Sequence, residues 1–388
     1  MPKARREIRI GIIGLGLIGR ELASATARWN HLLDLDFAPR ITAICDLDPA
    51  RFAWFERGFD AIPLKTTDYR DLLNSDDVDA IYCAVPHHLH APLYTDIIRA
   101  GKHLFGEKPF GIDLAANAQI LRALAERPEV VAACSSEMPF FPGAQRLIRY
   151  IQEGRFGQII EVWSGFLHSS DLDPTKPINW KRIVALNGEY GCMGDLGMHA
   201  LHAPLRAGWR PANVRAMLRK IVNERPDASG RMVPCETWDN ATLICETEQG
   251  FPLYVQTYRI APGETNTWYL RVLGTAFSAE FSTKYPKTLR TMTYTPGGEQ
   301  AWQSVDLGYE SAYPAITGKI FEFGFPDAML QMWAAFLDQL VNGREGMRQP
   351  FYCVTPEETR QHHRVLTAAL ESQRRGTVAK VVYDDLYH

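Results

Sequence analysis

The sequence lacks the features that mark secreted, metal-binding and membrane proteins. Its seven cysteines are an odd number, and none lies in a Cys-x-x-Cys pair or a Cys/His cluster with metal-ligand spacing. No apolar run approaches the roughly 20 residues of a membrane-spanning helix, and a net charge of -3 gives no basic field for nucleic acid. We therefore expect a cytoplasmic protein with reduced cysteines and no metal, no membrane contact and no nucleic-acid partner.

The N-terminus also lacks a small-residue cleavage site. Arg5 and Arg6 precede a short apolar run, as in a twin-arginine export signal, but the run ends in a patterned series of glycines. This argues against export. The chain has no internal repeat and no low-complexity linker, so its 388 residues predict two domains that abut directly and form a cleft.

The first third of the chain alternates short apolar runs with helical patterns. Strands separated by helices predict a doubly wound parallel sheet, a Rossmann fold, over residues 1–138. The predicted strands cover residues 8–13, 41–45, 80–85, 103–105 and 130–133, and the predicted helices cover residues 19–28, 49–57, 92–100 and 114–126.

The pattern changes after about residue 142, where longer alternating strands follow a helix over 144–153. Hairpins are predicted to turn near Gly250 and Gly274, and late amphipathic helices to cover 327–341 and 356–374. Residues 139–388 are therefore expected to form an α+β domain with a large, mostly antiparallel open sheet. The protein as a whole is α/β, and the late helices could pack back on the first domain.

A glycine fingerprint follows the first strand. Gly14, Gly16 and Gly19 have the G-x-G-x-x-G spacing between a strand and a helix, which suits a dinucleotide pyrophosphate at the helix N-terminus. The N–H groups of Leu17 and Ile18 belong to the same predicted contact.

The second predicted strand ends in Asp46, where an acid is expected to bind the ribose hydroxyls. The spacing from Gly19 exceeds the usual one of about 20 residues, and an insertion over residues 30–40 explains the excess. Leu47 follows the acid instead of an arginine that could bind a 2′-phosphate, which favours NAD over NADP. Arg51, one helical turn further on, keeps that question open.

The stretch KHLFGEKPFG raises a second question, because a strand end leads directly into Glu107, Lys108 and Pro109. Ligands bind at the carboxyl ends of the strands in such a sheet, and the proline biases Lys108 to an extended backbone. A bland surface turn is the competing interpretation. The pattern favours a lysine directed into the cofactor crevice.

Three stretches, GIIGLGLIG, AVPHHLHAPLYTDIIRAGKHLFGEKP and GEYGCMGDLGMHALH, together resemble the glucose–fructose oxidoreductase / inositol dehydrogenase / MocA family. The resemblance covers nearly the whole chain. It implies that Lys108 lies near the nicotinamide and contacts the hydroxyl that is oxidised, and that Asp195 and His199 complete the catalytic site.

The chemistry of hydride removal suits these three residues. A neutral His199 can accept the hydroxyl proton, and the Lys108 ammonium can polarise the oxygen. Asp195, one helical turn from His199, could orient the imidazole or bind a neighbouring sugar hydroxyl. For His199 and Asp195 taken alone, a structural histidine and a helix cap are the competing interpretations.

Further candidates follow from the same motifs. Contacts with NAD are predicted for Gly14, Gly16, Leu17, Ile18, Gly19, Asp46, Pro86, His87, His90, Glu107 and Lys108, although His88 and His90 could equally cap or pack. Aromatic side chains that suit the apolar face of a sugar ring, or the core, are Trp163, Phe166, Trp180 and Tyr190. Substrate contacts are predicted for Lys108, Trp180, Tyr190, Asp195 and His199.

Departures from the family pattern limit what it implies. Pro139 stands where an arginine is common, Lys181 where an arginine commonly follows the tryptophan, and Glu189, Tyr190 and Cys192 interrupt a glycine-rich run. These changes concern the pocket, so the identity of the substrate does not transfer.

Three functions remain open from the sequence. The leading one is an NAD-dependent dehydrogenase acting on a secondary hydroxyl of a sugar, glycoside or cyclitol, as a homodimer or homotetramer that pairs its second sheet. The second is an NAD-dependent glycosidase that oxidises its substrate transiently and retains the cofactor. The third is a dinucleotide-sensing regulator without catalysis, against which Lys108, Asp195 and His199 argue together.

Overall fold

The N-terminal region forms a six-stranded parallel sheet. The computed structural model describes residues 5–308, 310–318, 320 and 322–383. The strands are β1 (Arg6–Ile13), β2 (Phe37–Cys45), β3 (Leu64–Thr66), β4 (Ala80–Cys83), β5 (His103–Gly106) and β6 (Ala132–Cys134). Their order, β3-β2-β1-β4-β5-β6, reverses between β1 and β4, where a ligand crevice is expected in this fold.

Helices on both faces of this sheet connect its strands. They are α1 (Leu17–Ala27), α2 (Phe52–Gly58), α3 (Tyr69–Leu73), α4 (His90–Arg99) and α5 (Leu114–Glu126). Asp68 and Asp113 cap α3 and α5 by accepting hydrogen bonds from first-turn N–H groups. The predicted insertion over residues 30–40 is shorter than expected, because residues 37–40 pair with β1 as the first half of β2.

A nine-stranded sheet dominates the rest of the chain. Its order is β16-β15-β14-β13-β7-β12-β11-β8-β17, and all pairs are antiparallel except β7 with β12. The predicted hairpins are confirmed as β11 with β12 and β13 with β14. Its strands are β7 (Ile159–His168), β8 (Pro211–Arg219), β11 (Asn240–Thr247), β12 (Pro252–Tyr258), β13 (Asn266–Gly274), β14 (Phe277–Ser282), β15 (Thr288–Thr293), β16 (Gln303–Asp306) and β17 (Ala379–Lys380). The short strands β9 (Glu224–Pro226) and β10 (Met232–Pro234) form a separate two-stranded antiparallel sheet.

Further helices lie in this part of the chain, and the first, third and fifth of them pack on one face of the large sheet. They are α6 (Pro142–Gln152), α7 (Val184–Asn187), α8 (Cys192–Arg206), α9 (Phe325–Asn342) and α10 (Pro356–Arg375). The buried helix α8 is fixed to the sheet through its own carbonyls: Ser164 donates to Ala200 O at 2.6 Å, and Trp268 Nε1 donates to His199 O at 2.8 Å. These bonds fix the position of the DLGMH segment.

The last two helices contact the six-stranded sheet, and α10 also packs on β8 and β17 of the large sheet. Phe105 at the end of β5 stacks on Phe336 of α9, with ring centroids 4.7 Å apart. His363 of α10 lies 2.8 Å from the carbonyl oxygen of Pro109, directly after Lys108. The segment that carries Lys108 is therefore held between the two regions. A domain boundary at residue 138 stays a prediction.

No helix within the described residues is both long and apolar enough to cross a bilayer. The seven cysteines are buried and unpaired. Across the same ranges, no group of three or more His, Cys, Asp or Glu side chains is arranged to hold a metal ion.

Candidate active site

The glycine loop after β1 leaves an open cradle at the N-terminus of α1. Gly14 has φ +91°, and a Cβ there would overlap the carbonyl oxygen of Ala84, while a Cβ on Gly19 would overlap the carbonyl oxygen of Gly14. Gly16 differs, because an added Cβ would have only the Arg51 guanidinium nearby, at 3.7 Å. The open space beside Gly16 and the free first-turn N–H groups of α1 fit a pyrophosphate.

The Asp46 carboxylate lies beside this loop. It accepts hydrogen bonds from the N–H groups of Leu15 at 2.8 Å and Asp48 at 3.0 Å, and Arg51 pairs with it at 3.2 Å. Asp46 thus fixes the backbone of the glycine loop from the end of β2. These residues fit NAD, since the acid stands where the ribose hydroxyls are expected and the nearby arginine is already paired with it.

Lys108 projects from the end of β5 toward helix α8. Its ammonium donates to Asp195 Oδ1 at 2.7 Å and to the Asp195 carbonyl oxygen at 2.8 Å. Burial alone would lower the pKa of this lysine, but Asp195 and Glu107 outweigh burial and raise it. Lys108 is therefore a charged donor at the sheet edge, joined to the other domain.

Asp195 is surrounded by positive charge. Besides Lys108, it accepts hydrogen bonds from Lys181 Nζ at 2.9 and 3.0 Å and from the guanidinium of Arg259. Burial opposes ionisation, yet the three cations hold the pKa of Asp195 well below its ordinary value. Burial, opposed by Asp195 and reinforced by Arg259, lowers the pKa of Lys181 to about 8. Of the two roles considered for Asp195, the geometry does not favour orientation of His199, because both carboxylate oxygens are held by cations.

A chain of buried ion pairs continues behind this carboxylate. Arg259 also donates to Asp171 at 2.5 Å, Asp171 pairs with Arg182, and Arg182 donates to Asp239 at 2.6 Å. Each of these arginines shares its charge between two acids, which meets the demand that buried charges be paired. This series of ion pairs fixes the Arg259 guanidinium and hence the rotamer of Asp195.

His199 faces a different set of groups. Its Nδ1 lies 3.4 Å from Ser136 Oγ and 3.8 Å from Glu137 Oε2, and the edge of the Phe166 ring contacts the imidazole at a centroid distance of 5.0 Å. Burial, with Lys108 adding to it, holds the pKa of His199 well below its ordinary value. The imidazole is thus neutral at neutral pH, as a proton acceptor must be.

Glu107 and Glu137 form a buried acidic pair beneath the site. The Glu107 carboxylate accepts hydrogen bonds from the hydroxyls of Tyr82 at 2.6 Å and Ser135 at 2.7 Å. Its side chain is therefore bonded into the first domain and is not directed at the crevice. Burial and the neighbouring Glu107 charge raise the pKa of Glu137 to about 7.

His87 lies between the two regions. It is 2% exposed, its Nδ1 donates to Asn187 O at 3.0 Å, and its ring meets the Trp180 ring edge-on at 4.9 Å. Burial lowers its pKa well below the ordinary value. His87, Trp180 and the preceding Pro86 remain candidates for contacts at the cleft, because Trp180 is only partly buried and Lys181 follows it.

Other predicted contacts are not placed in the cleft. His90 is fully buried, with Nε2 3.0 Å from Val85 O and its ring stacked on Tyr94. The Tyr190 hydroxyl lies 2.7 Å from Thr367 of α10. These two side chains serve packing. Two of the predicted aromatic residues, Trp163 and Phe166, lie in β7. Trp163 stacks on Tyr254 at a centroid distance of 4.0 Å on the uncovered face of the large sheet, whereas Phe166 faces His199.

Three site residues were not predicted, namely Glu137, Lys181 and Arg259. Glu137 follows β6 at the same sheet edge as Lys108, so the rule that ligands gather at strand ends could have identified it. Lys181 was noted only because it stands where the family commonly has an arginine. Arg259 is a charged residue at the end of an apolar strand, and no motif marked it. Their meeting at Asp195 is a contact between distant parts of the chain.

Two family models match this chain. Residues 8–134 match the family model described as oxidoreductase family, NAD-binding Rossmann fold. Residues 144–280 match the GFO/IDH/MocA C-terminal domain. The two matches together include Lys108, Lys181, Asp195, His199 and Arg259, whereas Ser136 and Glu137 lie between the matched ranges.

Individual relatives share about a quarter or less of their residues with this chain. A levoglucosan dehydrogenase of Pseudarthrobacter phenanthrenivorans is 25% identical over 71% of this chain and 74% of its own length. Glycosyl hydrolase family 109 protein 1 of Bacteroides thetaiotaomicron is 24% identical over 72% of this chain and 60% of its own length. A solved structure of levoglucosan dehydrogenase, in complex with NADH and levoglucosan, covers 97% of this chain and 100% of that one with a TM-score of 0.86. At 22% identity, that likeness shows a shared fold.

Proposed function

The chain belongs to the GFO/IDH/MocA family of NAD-binding oxidoreductases, and we propose that it transfers a hydride between nicotinamide and a secondary hydroxyl of a sugar, glycoside or cyclitol. The observation that carries the proposal is a charged Lys108 ammonium bonded to Asp195 beside a neutral, buried His199. Bound NAD+ supplies the hydride acceptor. The chain itself must then remove a hydroxyl proton and stabilise charge on the oxygen.

In this proposal, His199 accepts the hydroxyl proton at Nε2, the ring nitrogen that has no hydrogen-bond partner within the described ranges. Lys108 donates a hydrogen bond to the same oxygen while negative charge develops on it. Asp195 holds the Lys108 ammonium in place at 2.7 Å. The same carboxylate also binds a second cation, Lys181, at the cleft wall. The catalytic residues are therefore Lys108 and His199, with Asp195 positioning the lysine.

The proposal includes a preference for NAD over NADP. The Asp46 carboxylate would repel a 2′-phosphate, and Arg51 is bound to Asp46 at 3.2 Å and to Asp48 at 3.5 Å. An arginine neutralised by two acids offers little net attraction to a further anion.

The test is a screen of sugars, anhydrosugars and cyclitols with the purified chain and NAD+, followed by the absorbance of free NADH. Levoglucosan is the first compound, because a relative is a levoglucosan dehydrogenase. We expect NADH to accumulate with at least one hydroxyl donor. Binding of NAD without NADH formation from any compound of the panel would contradict the proposal.

A glycosidase that oxidises its substrate transiently is the second candidate, since a relative over 72% of this chain is a family 109 glycosyl hydrolase. Such a reaction needs the same proton acceptor and the same cofactor but returns the hydride before release. Hydrolysis of a nitrophenyl glycoside without accumulation of free NADH would select this candidate over the dehydrogenase.

We also propose that the uncovered face of the large sheet joins copies of the chain in a homodimer or homotetramer. Trp163 stacks on Tyr254 there, and Met217 and Ile244 are 55% and 42% exposed on the same face. Apolar groups of this kind in one patch mark an interaction surface. Light scattering at micromolar concentration should give a mass at least twice that of one chain, and Trp163→Glu should reduce it to one chain.

A further inference from the structure

We propose that Glu137 is the acid that positions His199 and receives its proton. Helical spacing had made Asp195 one candidate for the positioning role. The inference rests on the proposed function, because it assumes that His199 takes the hydroxyl proton. Glu137 is a positioning residue here, since it acts through the imidazole and not on the substrate.

The geometry divides the acids of the site between two tasks. Both oxygens of Asp195 are occupied by Lys108, Lys181 and Arg259. The acid nearest to the His199 ring is Glu137, whose Oε2 lies 3.8 Å from Nδ1. Ser136 Oγ lies 3.4 Å from the same nitrogen. The Nδ1 side of the imidazole therefore faces a carboxylate and a hydroxyl of one short segment.

That segment is held in place from the side of α9. The N–H of Ser136 donates to Met332 Sδ at 3.1 Å, and the preceding Ser135 is bonded to Glu107. Glu137 is 6% exposed. A buried carboxylate on a fixed backbone can select one tautomer of a facing imidazole, with the proton on Nδ1 and the lone pair on Nε2.

In the proposed path, the proton charge moves from the substrate hydroxyl through His199 to Glu137. The substrate O–H bond breaks as its proton binds His199 Nε2, and the carbinol C–H bond breaks as hydride passes to nicotinamide. The proton on Nδ1 then passes to the Glu137 carboxylate, which restores a neutral imidazole. The net products are a ketone, NADH and one proton held on Glu137.

The charges around both groups allow such a transfer near neutral pH. Burial and Glu107 raise the pKa of Glu137 to about 7, with Lys108 opposing them. The same acid is therefore able to bind and release a proton under ordinary conditions. Facing Glu137 are Glu107, Lys108, Tyr82 and His199, and facing His199 are Lys108, Asp195, His168, His362 and Glu137.

Nitrogen-15 NMR of the histidine-labelled full chain tests the positioning without a substrate. The His199 resonance is assigned by its loss in His199→Asn. We expect the proton on Nδ1 in the wild type, a shifted Nδ1 resonance in Glu137→Gln and little change in Ser136→Ala. A proton on Nε2 in the wild type, or a resonance that moves only in Ser136→Ala, would overturn the proposal.

Turnover tests the proton transfer, using a sugar that passes the screen. Glu137→Gln should lower kcat about 100-fold with a nearly unchanged KM. It should also remove the rise in rate through pH 7 that we expect of the wild type from the pKa of Glu137. Glu126→Gln, the same substitution on the exposed face of α5, is the control. Equal kcat and equal pH profiles for Glu137→Gln and wild type would overturn the transfer.

Two safeguards keep the outcomes distinct. If the Gln variant does not fold, Glu137→Asp retains the charge with a shorter reach, and it should keep the pH profile at a reduced kcat. If no sugar is oxidised although the NMR results are as expected, the proposed function fails while the positioning of His199 by Glu137 stands.

Discussion

The two walls of the cleft hold their key aspartates in opposite ways. Asp46, on the cofactor side, is bound by two backbone N–H groups and one half-exposed arginine, Arg51. Asp195, on the substrate side, is 1% exposed and is bound by the cationic side chains of Lys108, Lys181 and Arg259. Asp48 and Arg51 follow Asp46 closely in the sequence and Leu15 lies on the adjacent loop after β1, whereas Lys108 and Arg259 reach Asp195 from segments 87 and 64 residues away.

This difference predicts different costs of substitution. The Asp48 N–H and the half-exposed Arg51 guanidinium can bind water when the Asp46 carboxylate is removed, so the first wall should tolerate that change. Buried ammonium and guanidinium groups have no such alternative, so the second wall should not. Lys108 belongs to the first domain but pairs with the second wall, and it should therefore show the largest functional effect.

Replacement of Lys108 by methionine should give that largest effect. The variant keeps an apolar stem but removes the charge that stabilises the developing oxyanion. General acid–base and electrostatic contributions are typically about 100- to 10,000-fold, and we expect a loss of kcat in that range. NAD affinity should change little, since Asp46 and the glycine loop are untouched. Calorimetry with NAD and steady-state turnover on the same preparation provide the measurement.

The double variant Lys108→Met/His199→Asn sharpens this expectation. Both side chains act on one hydroxyl, so their losses should not multiply. Near-normal turnover of a folded Lys108→Met protein would contradict the assignment and would make the EKP stretch a surface turn.

Asp195→Asn should produce the largest loss of stability. Three cations would then share a neutral amide in a buried site, and breaking buried pairs in this way typically costs about 3–5 kcal/mol. Asp46→Asn, the matched change on the other wall, should cost about 1 kcal/mol or less. Urea unfolding of the two variants measures the difference. Equal costs would show that the two walls do not differ as described.

The residues of the first wall could be predicted from the sequence more completely than those of the second wall. The glycine loop, the Asp46 strand end and the Lys108 turn are set by spacing within short segments, and their elements were predicted closely. The meeting of Lys181 and Arg259 at Asp195 depends on tertiary packing, which periodicity does not encode. Alternation along β7 separates two aromatic residues that the sequence analysis grouped together, since positions 163 and 166 lie on opposite faces of the strand.

Two alanine substitutions in the glycine loop should have different consequences. Gly14→Ala would force a Cβ into the Ala84 carbonyl at φ +91°, and we expect a loss of more than about 1 kcal/mol in unfolding free energy. Gly16→Ala places its Cβ in open space at φ -70°. It should fold normally but weaken NAD binding about tenfold, because the methyl occupies the pyrophosphate's approach.

Thermal unfolding and NAD titration of both variants check this pair. The matched substitutions separate a glycine needed for the fold from one needed for the ligand. Normal NAD affinity in Gly16→Ala would place the pyrophosphate elsewhere.

Acid should lower the stability of the fold through two buried histidines, His202 of α8 and His362 of α10. The ring nitrogens of His202 and His362 have no hydrogen-bond partners among the described residues, and burial lowers the pKa of each well below its ordinary value. Their contribution to stability is fully present above the unfolded pKa of about 6.5. Below that pH the unfolded chain binds protons that the folded one excludes, which costs about 1.4 kcal/mol per pH unit for each histidine.

His202→Phe tests this slope, since the new ring can pack on Phe351, which now lies 5.4 Å from the histidine ring. Between about pH 6 and pH 5, the variant should lose about 1.4 kcal/mol less stability than the wild type. Parallel slopes for the two proteins would mean that His202 is protonated in the folded state.

The smallest expected effect concerns the choice of cofactor at the first wall. Asp46→Ala removes the charge that would repel a 2′-phosphate and releases Arg51 to bind it, so the ratio of NAD to NADP affinity should fall about tenfold. Part of the NAD affinity should also be lost, because the Leu15 N–H loses its acceptor in the loop. The double variant Asp46→Ala/Arg51→Ala separates the two contributions: it should bind both cofactors weakly and restore little NADP affinity. Titration of the three proteins with NAD and NADP measures these ratios. If the wild type bound NADP more tightly than NAD, Arg51 and not Asp46 would govern this wall, and the pairing of the two side chains would have to open when the cofactor binds.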